Sequence, residues 1–571
     1  MTCEERIRSE DYRELLIDYN FEETEATHDA RDYCRVVVDG NISIIYYQIN
    51  PNEMVDISLY PYNEVPKCYG LMQQEQPSEQ GPFDSLALSD AGILQVQREP
   101  LSLTGRGVVI GFIDTGIRYT QDVFRNAAGE SRILSIWDQT IYDGSPPDGF
   151  LYGTEYGRQQ INEALRSPMP REIVPSWDTD GHGTAMASVA AGSNLESGRR
   201  FVGAAPDADI VVVKLRGAKQ YLRDYYILPE NVPAFAETDV VMAVKYIESF
   251  AIDLERPVVI CLGIGTNFGS HTGSSVLDRY LTTISERRNR AIVVCGGNEG
   301  AASHHFRSVL SSEVQTVEMR VGEAENGFLL EMWTEGPSHY RMTIRTPGGE
   351  KISGIVDRSR RTQEYRFVFD RTIIMVNSLL LAESTGRGLL LFRFVTPTQG
   401  VWTFTIETVS FIQGSSYNMW LPIEDFVRDD TFFLRPEPDI TLTAPSMSGG
   451  VITINAYNDE DGSFYEKSGR GFAADGRVKP QFAAPGVNVS TSLGKRTGSS
   501  LAAAIAAGAV TQLMQWAVID GQYLLASGRE LTYYLMLGAV RDSNIEYPSK
   551  EWGYGKINVQ RTFEELSGLF R

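Results

Sequence analysis

Four short, nearly continuous apolar runs, interrupted only by Lys214, constrain this chain more than anything else in it: Val108–Ile113, Ile210–Leu215, Pro257–Leu262 and Ala291–Cys295. A strand with one wet face alternates apolar and polar residues. A run without that alternation has to be covered on both faces, as in a parallel sheet held between helices. Segments of helical period, Asp239–Phe250 and Asp278–Arg288, lie between successive runs and supply the crossovers. The expected fold is therefore α/β, a parallel sheet with helices on both faces. With 571 residues, 42% of them hydrophobic and 22% charged, the chain can bury such a core and has length for more than one domain.

Upstream, residues 1–75 combine a helical stretch, Glu4–Tyr19, with strand-like runs, Cys34-Arg-Val-Val-Val and Ile42-Ser-Ile-Ile-Tyr-Tyr. They form a small α/β unit ending in Val65-Pro-Lys-Cys-Tyr-Gly-Leu-Met72, followed by a polar linker, Gln73–Pro82. Between 314 and 434 the pattern switches to period two, as in Tyr340-Arg-Met-Thr-Ile-Arg and Val401-Trp-Thr-Phe-Thr-Ile, with Gly and Pro turns between segments. That predicts an antiparallel sandwich or jelly roll. Val451-Ile-Thr-Ile-Asn-Ala then resumes the strand–helix style. The expected organisation is an N-terminal unit (1–75), an α/β domain in two parts (76–313 and 435–571), and a β module (314–434) inserted between them.

The charge balance, 52 basic against 74 acidic side chains, excludes the basic face that nucleic acid requires. Five scattered cysteines (Cys3, Cys34, Cys68, Cys261, Cys295) fit neither a disulfide framework nor a metal site, and read as buried or incidental thiols. The stretch Ser500–Ile519 has the length of a membrane span, but it contains Thr511, Gln512 and Gln515, so a buried core helix and no membrane partner are expected. MTCEERIRSEDYRELL has no apolar core of a secretory signal, which points to a cytoplasmic or spore-associated protein.

Four glycine-framed segments carry the chemistry. Ile113-Asp114-Thr115-Gly116 puts a carboxylate at the C-terminal end of a parallel strand, where open α/β sheets place their active sites. Asp180-Gly-His182-Gly-Thr184 opens a small-residue helix with one of only six histidines. Thr497-Gly-Ser499-Ser500-Leu-Ala-Ala-Ala504 sets a serine at the start of an apolar helix, where backbone N–H groups favour developing negative charge. Gly297-Asn298-Glu-Gly300 follows a buried strand and can aim an amide at a reacting oxygen. Each has a plainer reading alone: a strand-end turn, a structural histidine, a helix N-cap at Ser499 or Ser500, and an ordinary Asn turn. Asp, His and Ser in that order, each in its own glycine frame, make coincidence improbable. The aspartic-protease reading of the Asp-Thr-Gly fails because that fold is all-β and no second such motif is present.

Together these segments resemble the subtilisin-like (S8) serine peptidases over about Leu101–Leu310 and Thr443–Gly555, with support from Gly203-Ala-Ala-Pro-Asp-Ala-Asp and Phe482-Ala-Ala-Pro-Gly-Val. The resemblance implies Asp114 as stabiliser, His182 as general base, Ser500 as nucleophile, Asn298 in the oxyanion hole, and Gly263-Ile264-Gly265 along the substrate. Within that family the chain is similar to the clostridial Csp germination proteases, sharing Gly111-Phe-Ile-Asp-Thr-Gly-Ile, Ser135-Ile-Trp-Asp-Gln-Thr and Gly265-Thr-Asn-Phe-Gly-Ser-His. That likeness implies a prodomain cut near Leu71–Gln76 and retained in the cleft, a jelly-roll insert, and a protein substrate that is the precursor of a spore-cortex-lytic enzyme.

Two departures stand out: Ala504 replaces the usual proline after the serine, and Gly263-Ile264-Gly265 replaces Ser-Leu-Gly at the substrate strand. Neither removes a catalytic atom. No cofactor is expected, and no Asp-rich loop argues for a metal; Asp178 and Asp180 read as loop solvation and orientation. A non-catalytic pseudoprotease regulator on the same scaffold is the second reading, and a carbohydrate-binding protein, resting on the β module alone, the third.

Overall fold

A computed structural model describes the whole chain except residues 19–26, 30–32, 49–59, 73, 79–84, 195–200, 311, 336–337, 358–361, 380–381, 383–385, 429 and 570–571. Its centre is an eight-stranded sheet in the order 482–485, 452–457, 290–295, 258–262, 109–114, 209–214, 133–138, 154–157. Every neighbouring pair is parallel except the last, where Thr154–Gly157 closes one edge antiparallel to Ile133–Asp138.

The nearly continuous apolar runs are the central strands, and their alternate residues feed two cores. Ile110, Phe112, Cys261 and Val293 face one core, where they meet the helices His182–Ala191 and Ser499–Met514. Val109, Ile113, Ile260 and Val294 face the other, against the helices Glu237–Asp253 and Val276–Ser285. The Ala-rich helix Ser499–Met514 is buried along its whole length, so the membrane-length stretch is a core helix. Its small side chains allow that depth: a Cβ on Gly508 would lie 2.2 Å from the Cβ of Ala204.

The N-terminal unit differs from expectation. The predicted helix Glu4–Tyr19 is a six-residue helix, Cys3–Arg8, started by a Thr2/Glu5 capping box, and Tyr12–Asp18 is a strand. That strand joins a four-stranded antiparallel sheet, pairing with Ile42–Gln48. Packing overrides helical propensity here: Leu16, Val36, Ile44 and Tyr46 enter the second core beside residues of Glu237–Asp253 and Val276–Ser285. The reading of all five cysteines as incidental thiols also needs correction. Cys3 and Cys34 form a disulfide, Cα–Cα 5.4 Å, while Cys68, Cys261 and Cys295 are free and buried.

The β module starts earlier than its sequence pattern, at His305, because the irregular connection before Val314 hides the first strand. It comprises a six-stranded and a five-stranded antiparallel sheet, the last strand being Phe432–Phe433. The two sheets enclose a core of their own, built on residues such as Phe328, Phe392, Phe394, Trp402 and Phe404.

Candidate active site

Asp114 ends the strand Val109–Asp114, and its Oδ1 accepts the Thr115 N–H at 2.8 Å. His182 is the first residue of its helix. Gly181 before it holds φ +92°, and a Cβ on Gly183 after it would lie 2.3 Å from the Gly116 carbonyl oxygen. The two glycines thus let the helix start press against the Asp114 turn. His182 Nδ1 lies 2.8 and 2.9 Å from the two Asp114 carboxylate oxygens, and Nε2 lies 2.9 Å from Ser500 Oγ. All three residues are at most 2% exposed. Ser500, not Ser499, meets the imidazole; Ser499 Oγ is buried without a hydrogen-bond partner among the described residues.

Burial pulls the His182 pKa down, but the Asp114 carboxylate, with Asp180 and Asp178 behind it, outweighs that and holds it above its ordinary value. The arrangement suits a proton acceptor for Ser500 whose charged form is stabilised by Asp114.

Asn298 follows Gly297 on a turn after the strand Arg290–Cys295. Gly297 holds φ +93°, and a Cβ there would lie 2.5 Å from Thr443 Oγ1. Asn298 Oδ1 accepts the Ser499 N–H at 3.1 Å, which orients the amide. Its Nδ2 is buried with no partner among the described residues, a donor beside the Ser500 helix start.

Asp178 carries more than its assignment to loop solvation suggested. It is fully buried. Its Oδ1 accepts from Thr115 Oγ1 (2.8 Å) and Gly181 N (2.7 Å), its Oδ2 from Thr184 N (2.9 Å) and Thr184 Oγ1 (2.6 Å). Thr115 Oγ1 in turn receives the Gly183 N–H at 3.1 Å. One carboxylate thereby ties the Asp114 turn to the His182 helix start. The spacing Asp178-Thr-Asp-Gly-His182 was the available signal, but nothing in it distinguishes the inward carboxylate from exposed Asp180. Among the described residues no group of three or more His, Cys, Asp or Glu could hold a metal ion.

Gly263, Ile264 and Gly265 form a buried edge beside this group. A Cβ on Gly263 would lie 2.3 Å from Met186 Sδ and 2.9 Å from His182 Cε1. The edge is already paired. Strand Cys68–Leu71 lies between Phe235–Ala236 and Ile264–Gly265, antiparallel to both, with Gly70 opposite Gly265 and Leu71 opposite Ile264. Met72 N–H donates to Gly263 O at 3.0 Å, and the buried Met72 Sδ lies 3.9 Å from Thr443 Oγ1. The chain then pairs on the far side of Ser500, Gln74 opposite Thr497. Of the linker Gln73–Pro82, residue 73 and residues from 79 onward lie outside the described residues.

Comparison with known proteins shows the family to which this fold belongs. The profile described as the Subtilase family matches residues 105–372 and 435–555, breaking off inside the β module. The solved structure of the Clostridium perfringens CspB protease is similar at 29% identity and TM-score 0.75, covering 85% of this chain and 98% of that one. Two Arabidopsis thaliana proteins, subtilisin-like proteases SBT3.5 and SBT3.6, are 27% and 26% identical over 35% and 39% of this chain. The aligned regions span only 26% and 28% of those plant proteins' length.

Proposed function

The chain belongs to the subtilase family of serine endopeptidases, and on that premise we propose that Asp114, His182 and Ser500 are its catalytic triad, that it cuts itself after Met72, and that it then activates a partner protein by limited proteolysis. The observation that carries this reading is the continuous hydrogen-bonded line from Asp114 through His182 to Ser500 Oγ, at 2.8 and 2.9 Å, with the chain's own Met72 seated beside it.

Ser500 Oγ attacks the Met72 carbonyl carbon as its proton passes to His182 Nε2. Asp114 holds the imidazole tautomer and stabilises the imidazolium. The oxyanion is received by Asn298 Nδ2 and the Ser500 N–H. His182 then returns the proton to the leaving amine of Gln73, and water releases the acyl group by the same steps in reverse. Residues 1–72 act as the prodomain and stay in the cleft as product. Resemblance to the Csp germination proteases supports the precursor of a spore-cortex-lytic enzyme as the partner, and a site of action inside the cell or spore.

A fluorophosphonate probe on purified protein tests the assignment. Labelling at Ser500, lost in Ser500→Ala and in His182→Ala, is the expected result. Folded protein that never labels would favour the non-catalytic regulator, a reading that the filled cleft also suits.

A further inference from the structure

The Met72 side chain lies in a slot beside Thr443, a residue of the segment by which the chain returns from the β module. Strand alternation sets which side chain enters it: Leu71 goes to the second core and Met72 to the first. The slot exists because two glycines lack side chains. A Cβ on Gly265 would lie 2.4 Å from Thr443 Oγ1 and 3.3 Å from Met72 Cε. A Cβ on Gly297 would lie 2.5 Å from Thr443 Oγ1 and 2.7 Å from Thr443 Cγ2. Thr443 is thus held between the Gly263–Gly265 edge and the turn that carries Asn298, and its N–H donates to Gly296 O at 3.1 Å.

Met72 is 2% exposed and Thr443 is wholly buried. The Thr443 hydroxyl donates to Met72 Sδ at 3.9 Å, and among the described residues that sulfur is its one hydrogen-bond partner. A hydroxyl shut away from water costs free energy unless it is paired. A thioether sulfur is a weak acceptor, whereas the side chains of Leu, Ile, Val and Phe offer none. Methionine is also unbranched, and its three rotatable bonds let it follow a slot that a branched side chain would not.

We propose that Thr443 is a specificity-determining residue, whose hydroxyl selects methionine as the side chain before the cleaved bond by hydrogen bonding its sulfur. The inference rests on the self-cleavage reading above and names its substrate class: extended protein segments with methionine, in preference to a branched aliphatic residue, just ahead of the scissile bond. The chain's own residue at that position is Met72.

The test uses full-length chains and two readouts. In active chains made by cell-free synthesis, self-processing is followed by intact mass. Thr443→Val keeps the shape and removes the hydroxyl, and should slow the cut about fivefold, the scale of one hydrogen bond, while Thr443→Ser should keep most of the rate. Met72→Leu should slow the cut by a similar factor in otherwise unaltered chain. In the Thr443→Val chain it should cost less than about twofold more, because the group that reads the sulfur is already gone. The second readout needs no cleavage. In a Ser500→Ala background, exchange of the Met72 amide, bound to Gly263 O, should quicken about fivefold with either change alone and little further with both. Met72→Leu leaves the slot itself unaltered, so a failure of Thr443→Val to fold still leaves that variant and Thr443→Ser to be read. Processing and exchange unmoved by Met72→Leu, or losses that simply add in the double variant, overturn the selection. Exchange that follows the hydroxyl in a wild type that never processes would instead keep the slot and overturn self-cleavage.

Discussion

The N-terminal unit and the inserted β module both pack on the α/β domain, yet they close their cores in opposite ways. The module encloses Phe328, Phe394, Trp402 and their neighbours between its own two sheets. The N-terminal unit lends Leu16, Ile44 and Tyr46 to a core it shares with the helices below it. Its seam is ionic as well. Glu14, fully buried, accepts from Arg216 Nη2 (3.0 Å) and Thr238 Oγ1 (2.8 Å) and pairs with Lys219 Nζ (3.3 Å), and Arg216 also pairs with Asp239. The module's seam is apolar instead: Leu329, Trp333, Leu391 and Trp420 join the first core, Trp420 stacks on His271, and Glu331 accepts from Gly269 N. A unit that borrows its core stays where its C-terminal strand, Cys68–Leu71, is delivered to the cleft. A unit with its own core is tolerated as an addition.

Breaking the ionic seam should have the largest effect. Removing one partner of a buried charge network leaves the others uncompensated, at a cost of roughly 3–5 kcal/mol. Glu14→Ala should therefore loosen residues 1–72, seen as faster hydrogen exchange across Tyr12–Asp18 and Ile42–Gln48, with the module's strands unchanged. Module strands that loosen equally would show that the two units are not independent.

The converse variant, Phe394→Ala, removes a ring packed on Phe328, Trp402 and Phe404. About 3–4 kcal/mol of stability should be lost from the module, lowering the temperature at which its strands open, while self-processing after Met72 continues. Loss of processing would mean that the module shapes the cleft.

A smaller effect tests where the units touch. Glu331 accepts from Tyr62 OH (2.6 Å), Gly269 N (3.0 Å) and Trp333 Nε1 (2.9 Å), joining unit, domain and module. Glu331→Gln keeps an acceptor for two of these donors and should cost about 1 kcal/mol in thermal unfolding. A neutral result would make this junction incidental.

The smallest change concerns pH. His182 must be neutral to take the Ser500 proton, and its raised pKa makes processing fall, as pH drops, from above the ordinary value of 6.5. Asp180→Asn removes a negative charge that favours the imidazolium, so the acid limb should move to lower pH. A limb that moves up, or stays, would contradict that electrostatic picture.

The sequence exposed what depends on local pattern. Nearly continuous apolar runs marked the central strands, because burial on both faces leaves almost no polar position. Asp114, His182, Ser500 and Asn298 were legible because each needs glycines beside it for close backbone approach. What depended on distant partners stayed hidden. Tyr12–Asp18 looked helical because its pairing with Ile42–Gln48 is not local, and Asp178 looked like a solvated loop residue because the Thr115 hydroxyl that it binds comes from a distant segment. Cys68-Tyr-Gly-Leu71 carries no strand signature of its own; the cleft edges on either side make it one.

Self-cleavage by Ser500 after Met72 is read most directly from the masses of the purified chains. Wild type and Ser500→Ala, purified in parallel, should be read by intact mass and by N-terminal peptide mapping. Wild type should yield two co-purifying fragments, 1–72 and a second chain beginning at Gln73, and the variant one intact chain. Wild type left whole while the fluorophosphonate probe labels Ser500, or the same cut in both proteins, would contradict it.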